Sequence, residues 1–139
     1  MAQSKAITEA LRRVPFLRRL SDTERESLVP IFKANRLEPG HGLFREKQAG
    51  DSMHIVVVGQ LRVHIATSEG EGLVAVVKPG DVVGEMACVD PGLRSASVTA
   101  DKRSITLELD RNTLQSLYLN MPNAAVAITS GVITALTKR

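Results

Sequence analysis

The apolar positions of this chain keep one spacing towards its two ends and another in the middle. Between Ser4 and Arg13, Ile7 and Leu11, followed by Val14, fall at helical intervals and predict an amphipathic helix. Pro15 limits its continuation, and Phe16 and Leu17 would dock the segment on the next element. Ser21-Asp22-Thr23-Glu24 has the spacing of a capping box and predicts a second helix, with Leu28, Ile31 and Phe32 on its apolar face. Pro30 predicts a kink or a tighter turn inside it, and the helix should fade near Asn35.

From Arg36 to Asp110 the period shortens to that of β-strands, punctuated by turns at Pro39-Gly40, Ala49-Gly50-Asp51 and Pro79-Gly80-Asp81. Met53 to Val58 is rich in β-branched residues and ends at Gly59. Leu61, Val63 and Ile65 alternate with Arg62 and His64, predicting one buried and one wet face. Ser68-Glu69-Gly70-Glu71-Gly72 reads as a hairpin tip, with Leu73 to Val77 returning as the partner strand. Val98 marks one further strand and Ile105, Leu107 and Leu109 another, with Asp101-Lys102-Arg103 turning between them. Asp110 is a good N-cap for a helix carrying Leu114 and Leu117. After the break at Asn120-Met121-Pro122, a last helix runs from about Asn123 to Thr137, with Ile128, Val132, Ile133 and Leu136 at helical spacing. Gly131 in its middle costs about 1 kcal/mol relative to Ala and suggests a hinge.

The pattern thus predicts a mainly β fold with flanking helices, an α+β arrangement built as a jelly-roll β-barrel. One domain spans residues 1–139: helices over 1–35, the barrel over 36–110 with a short helical insert within 80–98, and two helices over 111–139.

Composition narrows the functions. Aromatic residues are 3% of the chain and Trp is absent, which argues against a base-stacking nucleic-acid platform. The net charge of +3 is mild, and the one dense basic patch, Arg12, Arg13, Arg18 and Arg19, reads as a solvated helix face. A single cysteine, Cys88, fits a reducing compartment and a small buried thiol. With no bilayer-length apolar run and no signal-peptide core, the expectation is a cytoplasmic protein. His41, His54 and His64 stand far apart, which disfavours a metal-dependent barrel enzyme, and no nucleophile–base spacing points to catalysis.

The candidate chemistry lies in Gly84-Glu85-Met86-Ala87, followed by Arg94-Ser95-Ala96-Ser97-Val98. N–H groups opening a helical turn favour an anion, and a glycine lets it approach closely. Arg94 offers planar donors suited to phosphate oxygens, whereas Glu85 only accepts and suits a hydroxyl. A phosphate fused to a sugar hydroxyl satisfies both, with Arg94 and Glu85 facing each other across it. That ligand is a cyclic nucleotide.

The stretch from Pro79 to Ala87, with Arg94 to Val98, closely resembles the phosphate-binding cassette of cyclic nucleotide-binding domains. These occur in the catabolite activator family, in regulatory subunits of cAMP-dependent kinase and in cyclic nucleotide-gated channels. The resemblance implies a regulatory sensor of cAMP or cGMP, without catalysis or a further cofactor. Val83, Gly84, Glu85, Met86, Ala87, Arg94, Ser95, Ala96 and Val98 would form the ligand site, with Arg94 on the phosphate and Glu85 on the ribose hydroxyl. Ile128, Val132, Ile133 and Leu136 would close over the base as a lid, or equally pack on the barrel or on a second copy as a homodimer contact. The terminal helices would pass their movement to an effector domain or protein. Val83 stands where Phe often precedes the Gly-Glu, and Ser95 where kinase regulatory domains usually carry Ala, so cAMP and cGMP both remain open. No recognition helix follows the last helix, which argues against direct DNA reading. The alternative from another class is an interaction domain that keeps the fold without the ligand.

Overall fold

The computed structural model describes residues 2–137, with the side chains of residues 2, 3 and 136 outside the described set. Helix α1 (Ala2–Arg13) leads through a 3-10 turn (Pro15–Leu17) into α2 (Asp22–Leu28). The capping box at the start of α2 is formed in both directions: Glu24 N donates to Ser21 Oγ (3.1 Å) and Ser21 N to Glu24 Oε1 (3.0 Å).

Ten strands follow among the described residues, several of them very short. β1 (Lys33–Leu37), β10 (Ser104–Asp110), β4 (Ser52–Val58) and β7 (Val82–Val83) form one antiparallel sheet in that order. β2 (Gly42–Phe44), β9 (Ser97–Ala100), β5 (Leu61–Thr67) and β6 (Gly70–Val77) form the second. β3 (Ala49–Gly50) and β8 (Gly92–Leu93) make a small third pairing. The short helix α3 (Glu85–Val89) interrupts the strands, and α4 (Arg111–Asn120) and α5 (Pro122–Thr137) follow them. This is the jelly-roll arrangement of strands with flanking helices that the pattern predicts. Asp110 caps α4 through Thr113 N at 2.7 Å, and Pro122 opens α5.

Alternation along two central strands divides the core. Met53, Ile55 and Val57 of β4, with Ile105, Leu107 and Leu109 of β10, face the helices and pack with Leu11, Leu17, Leu28, Leu117 and Ile128. Burying such a side chain stabilises by roughly 1.5–3 kcal/mol. The alternate positions turn into the barrel, where Val56 joins Leu37, Leu61, Val77, Val83, Val98 and Ala100. Polar groups share that inner face: Ser52, His54, Ser104 and Thr106 are all buried.

Three expectations need correction. The second helix does not persist to Asn35: α2 ends at Leu28, a 3-10 turn spans Val29–Ile31 around Pro30, and Lys33 already begins β1. Pro30 lacks a helical donor, and pairing of residues 33–37 with β10 offers the backbone better partners. The hairpin tip is only Ser68-Glu69, since Gly70 already pairs with Thr67. On β5 the alternation breaks: His64 is buried while Val63 and Ile65 are half-buried. The register shift between Val63 and His64 lies in β6, which carries the extra residue Val74, while β5 keeps step with β9. His64 finds a partner in its buried position, with Thr99 Oγ1 2.8 Å from Nε2.

Candidate functional site

Pairing of β7 with β4 sets Val83 opposite His54 and delivers the chain to Gly84. Gly84 adopts a left-handed conformation (φ 72°) and starts α3. A Cβ there would lie 2.5 Å from Arg94 Nη1 and 3.1 Å from the Ser52 carbonyl oxygen, so both conformation and space require glycine. Within the cassette, Val83 and Ala87 are buried, Glu85 and Met86 half-buried. Cys88 is buried too; its Sγ donates to the Leu109 carbonyl at 3.4 Å, and burial pushes the thiol up to about 11, which keeps it protonated.

Arg94 is held from every side. Its N–H donates to Gln48 O (2.8 Å) and its carbonyl accepts from Lys47 N (2.7 Å), beside the β3–β8 pairing. Its guanidinium carbon stands 4.0 Å from the centroid of Phe44, and Nη2 donates to Ser52 Oγ at 3.2 Å. Gly50 makes the remaining room, since a Cβ there would lie 2.3 Å from Arg94 Nε. The residue is only 8% exposed, yet Nε and Nη1 are buried without an acceptor. Burial pushes the Arg94 pKa down, while the charges of Glu108 and then Asp51 work the other way. A buried guanidinium with two idle donors is suited to receive an anion.

Around Arg94 lies a polar cluster inside the barrel. His54, 4% exposed, has Nε2 3.5 Å from Ser52 Oγ and Nδ1 3.3 Å from Thr106 Oγ1. Burial lowers its pKa to about 4 and Arg94 pushes the same way, against Glu108. Its ring centroid is 5.9 Å from that of Phe44. Asn35 Nδ2 donates to Glu108 Oε1 at 3.0 Å. Burial acts to raise the Glu108 carboxyl, but bonds from Asn35 and Ser52 and the charges of His54 and Lys33 bring it below its ordinary value. Among the described residues no three His, Cys, Asp or Glu side chains gather as a metal site.

The structure therefore brings Gly84 and Arg94 together, with Val83 and Val98 in the adjoining apolar wall. Ser95 is exposed and Ala96 half-buried. The carboxylates whose charges favour Arg94 are Glu108 and Asp51; Glu85 lines a groove of about 410 Å³ with Phe16, Arg19, Asp81, Ser130 and Gly131. Of the lid positions, Ile128 is part of the helix-side core, Val132 is buried and Ile133 is 56% exposed. The Leu136 side chain lies outside the described residues. Gly131, read as a hinge, is a contact point: a Cβ there would sit 2.4 Å from the Phe16 ring.

Phe44, Gly50, Ser52 and His54 are the site residues that motif reading missed. A signal for two of them exists, because Ser52 and His54 occupy alternate polar positions in an otherwise apolar strand.

The model of the cyclic nucleotide-binding domain matches residues 34–121, well over half of the chain. The chain is 35% identical over 108 residues to a cAMP-dependent protein kinase regulatory subunit of Yarrowia lipolytica, covering 77% of this chain and 28% of the relative. It is 31% identical over 84 residues to a CRP-like cAMP-activated global transcriptional regulator of Mycobacterium tuberculosis, covering 60% and 38% respectively. The chain thus spans well under half the length of either. Among solved structures, the N-terminal domain of a transcriptional regulator from Streptomyces coelicolor A3(2) superposes with a TM-score of 0.83 at 32% identity, covering 93% of this chain and 91% of that one. A buried guanidinium with idle donors beside a glycine-started turn is thus set in a fold and a sequence of one kind, and the chain belongs to the cyclic nucleotide-binding domain family.

Proposed function

We propose that this chain is a sensor module for cAMP, taken into the barrel beside Arg94. The observation that carries the reading is the pair of buried, unaccepted donors on Arg94. A singly charged cyclic phosphate supplies acceptors and an opposite charge at once, offsetting the desolvation of the guanidinium. The N–H groups at residues 84–86 add donors to the same phosphate, that of Ala87 being bonded to the Gly84 carbonyl at 3.1 Å, and Ser95 adds a hydroxyl. Glu85, next to Gly84, accepts from the ribose 2′-hydroxyl. The choice of cAMP over cGMP rests on two relatives at 35% and 31% identity, a cAMP-dependent kinase subunit and a cAMP-activated regulator, against cGMP-dependent kinases that match at 28% and 25%.

Binding alone does not signal; the ligand must prefer one of two arrangements. α5, docked on Phe16 through Gly131 and bordering the groove that Glu85 lines, is the element we assign to the change. Removing one partner of a buried charge contact costs about 2–5 kcal/mol. Arg94→Ala should therefore weaken cAMP binding roughly a hundredfold or more by isothermal titration. An unchanged affinity would remove Arg94 from the site. Hydrogen exchange over residues 122–137 should change on adding cAMP, and identical protection would disprove the role of α5.

A further inference from the structure

β6 is the outermost strand of its sheet and bonds to β5 on one side only. Such edges present unpaired N–H and C=O groups, and proteins commonly guard them with charges, proline or a covering element. From Gly72 to Val77 there is neither charge nor proline. Leu73, Val74 and Val76 are 65%, 57% and 42% exposed. The ends of this apolar run carry opposite charges, Glu71 before it and Lys78 after it, both exposed. Lys78 makes no ion pair among the described residues, and the Glu71 side chain, though touching His64, is 68% exposed.

We propose that β6 pairs with β6 of a second copy of this chain, antiparallel, across a two-fold axis between Val74 and Ala75. That axis sets Val74 opposite Ala75, Leu73 opposite Val76, Gly72 opposite Val77 and Glu71 opposite Lys78. Opposite residues of antiparallel strands share a face, so each end of the ladder closes with an ion pair around an apolar centre. An axis shifted onto Val74 or Ala75 loses this: Lys78 then meets Gly70 or Gly72, and Glu71 meets Val77 or Pro79. Charge therefore selects one register. β6 carries one extra residue, Val74, opposite the Val63–His64 step. The axis falls beside it, so both strands bulge at the same place and stay in register. The contact is self-complementary and closed, and the far edge of the sheet is the three-residue β2, which limits further growth. α5 is the poorer dimer surface, because Ile128 and Val132 are spent in the chain's own core and residues 122–137 carry no charge to set a register.

Analytical ultracentrifugation of the ligand-free chain should give twice the 15.0 kDa monomer mass. Glu71→Lys and Lys78→Glu each place like charges opposite one another twice per dimer, and each should weaken dimerisation at least tenfold. An equimolar mixture of the two variants restores both ion pairs and should dimerise as the unaltered chain does. Val76→Glu, at an exposed position, should yield a monomer with unchanged far-UV circular dichroism. A monomer at every concentration overturns the proposal, as does a mixture that fails to regain the dimer. A dimer indifferent to both reversals but lost in Ile133→Lys overturns it in favour of α5.

Discussion

At the scale of single residues, what surrounds Arg94 is set as much by missing side chains as by those present. Gly50 and Gly84 each stand where a Cβ would strike the guanidinium. At Gly84 the left-handed backbone adds strain to any substitution, so the two effects are mixed. At Gly50 only the collision operates, which makes it the cleaner test. Gly50→Ala should displace Nε and weaken cyclic nucleotide binding at least tenfold. Gly92→Ala, two residues before Arg94 and with no neighbour within 4 Å, should leave affinity unchanged. Calorimetric titration of both separates loss of space from general loosening, and equal affinities would show that the guanidinium is free to move. The cassette itself was legible because its chemistry sits in one contiguous stretch. Phe44 and Ser52 were not, since they reach Arg94 only once the barrel closes; Ser52 is 42 positions away.

At the scale of elements, the helices were legible wherever a cap and a period agreed, as at Ser21 and Asp110. β1 was not, because its burial has no alternation and its strand character comes from β10. β3, β7 and β8, two residues each, are too short to show any period. Gly131 shows how an intrinsic preference can point the wrong way. Ala is favoured over Gly by about 1 kcal/mol within a helix, so Gly131→Ala would stabilise an isolated α5. Here the added methyl meets the Phe16 ring at 2.4 Å, against closely packed surroundings. Gly131→Ala should therefore lower the melting temperature and speed hydrogen exchange in residues 122–137. Adding Phe16→Ala should return part of that loss. A more stable Gly131→Ala would mean that α5 does not rest on Phe16.

At the scale of the whole molecule, the two sides of the central sheet respond differently to acid. The core on the helix side is apolar, and Asp22 and Glu24 at its surface, held below the ordinary carboxylate range, respond only in stronger acid. The inside of the barrel, by contrast, buries His54 beside Arg94 and Glu108. His54 titrates at about 4 in the fold against an ordinary 6.5, so the unfolded chain takes up a proton that the native one refuses. The stability tied to neutral His54 is complete above pH 6.5 and is lost as pH falls from 6.5 towards 4. By linkage the loss is about 2 kcal/mol by pH 5 and levels off near 3 below the folded value. Glu108 and Asp101, whose pKa values lie below the ordinary range, withdraw their support only at lower pH still. The interval from about pH 6.5 to 5 therefore isolates the histidine. Urea unfolding should show a falling midpoint across that interval. His54→Gln, whose side chain carries no proton-linked charge, should flatten the slope there while keeping the steeper fall below it. A slope that survives in His54→Gln would place the acid-sensitive group elsewhere in the barrel.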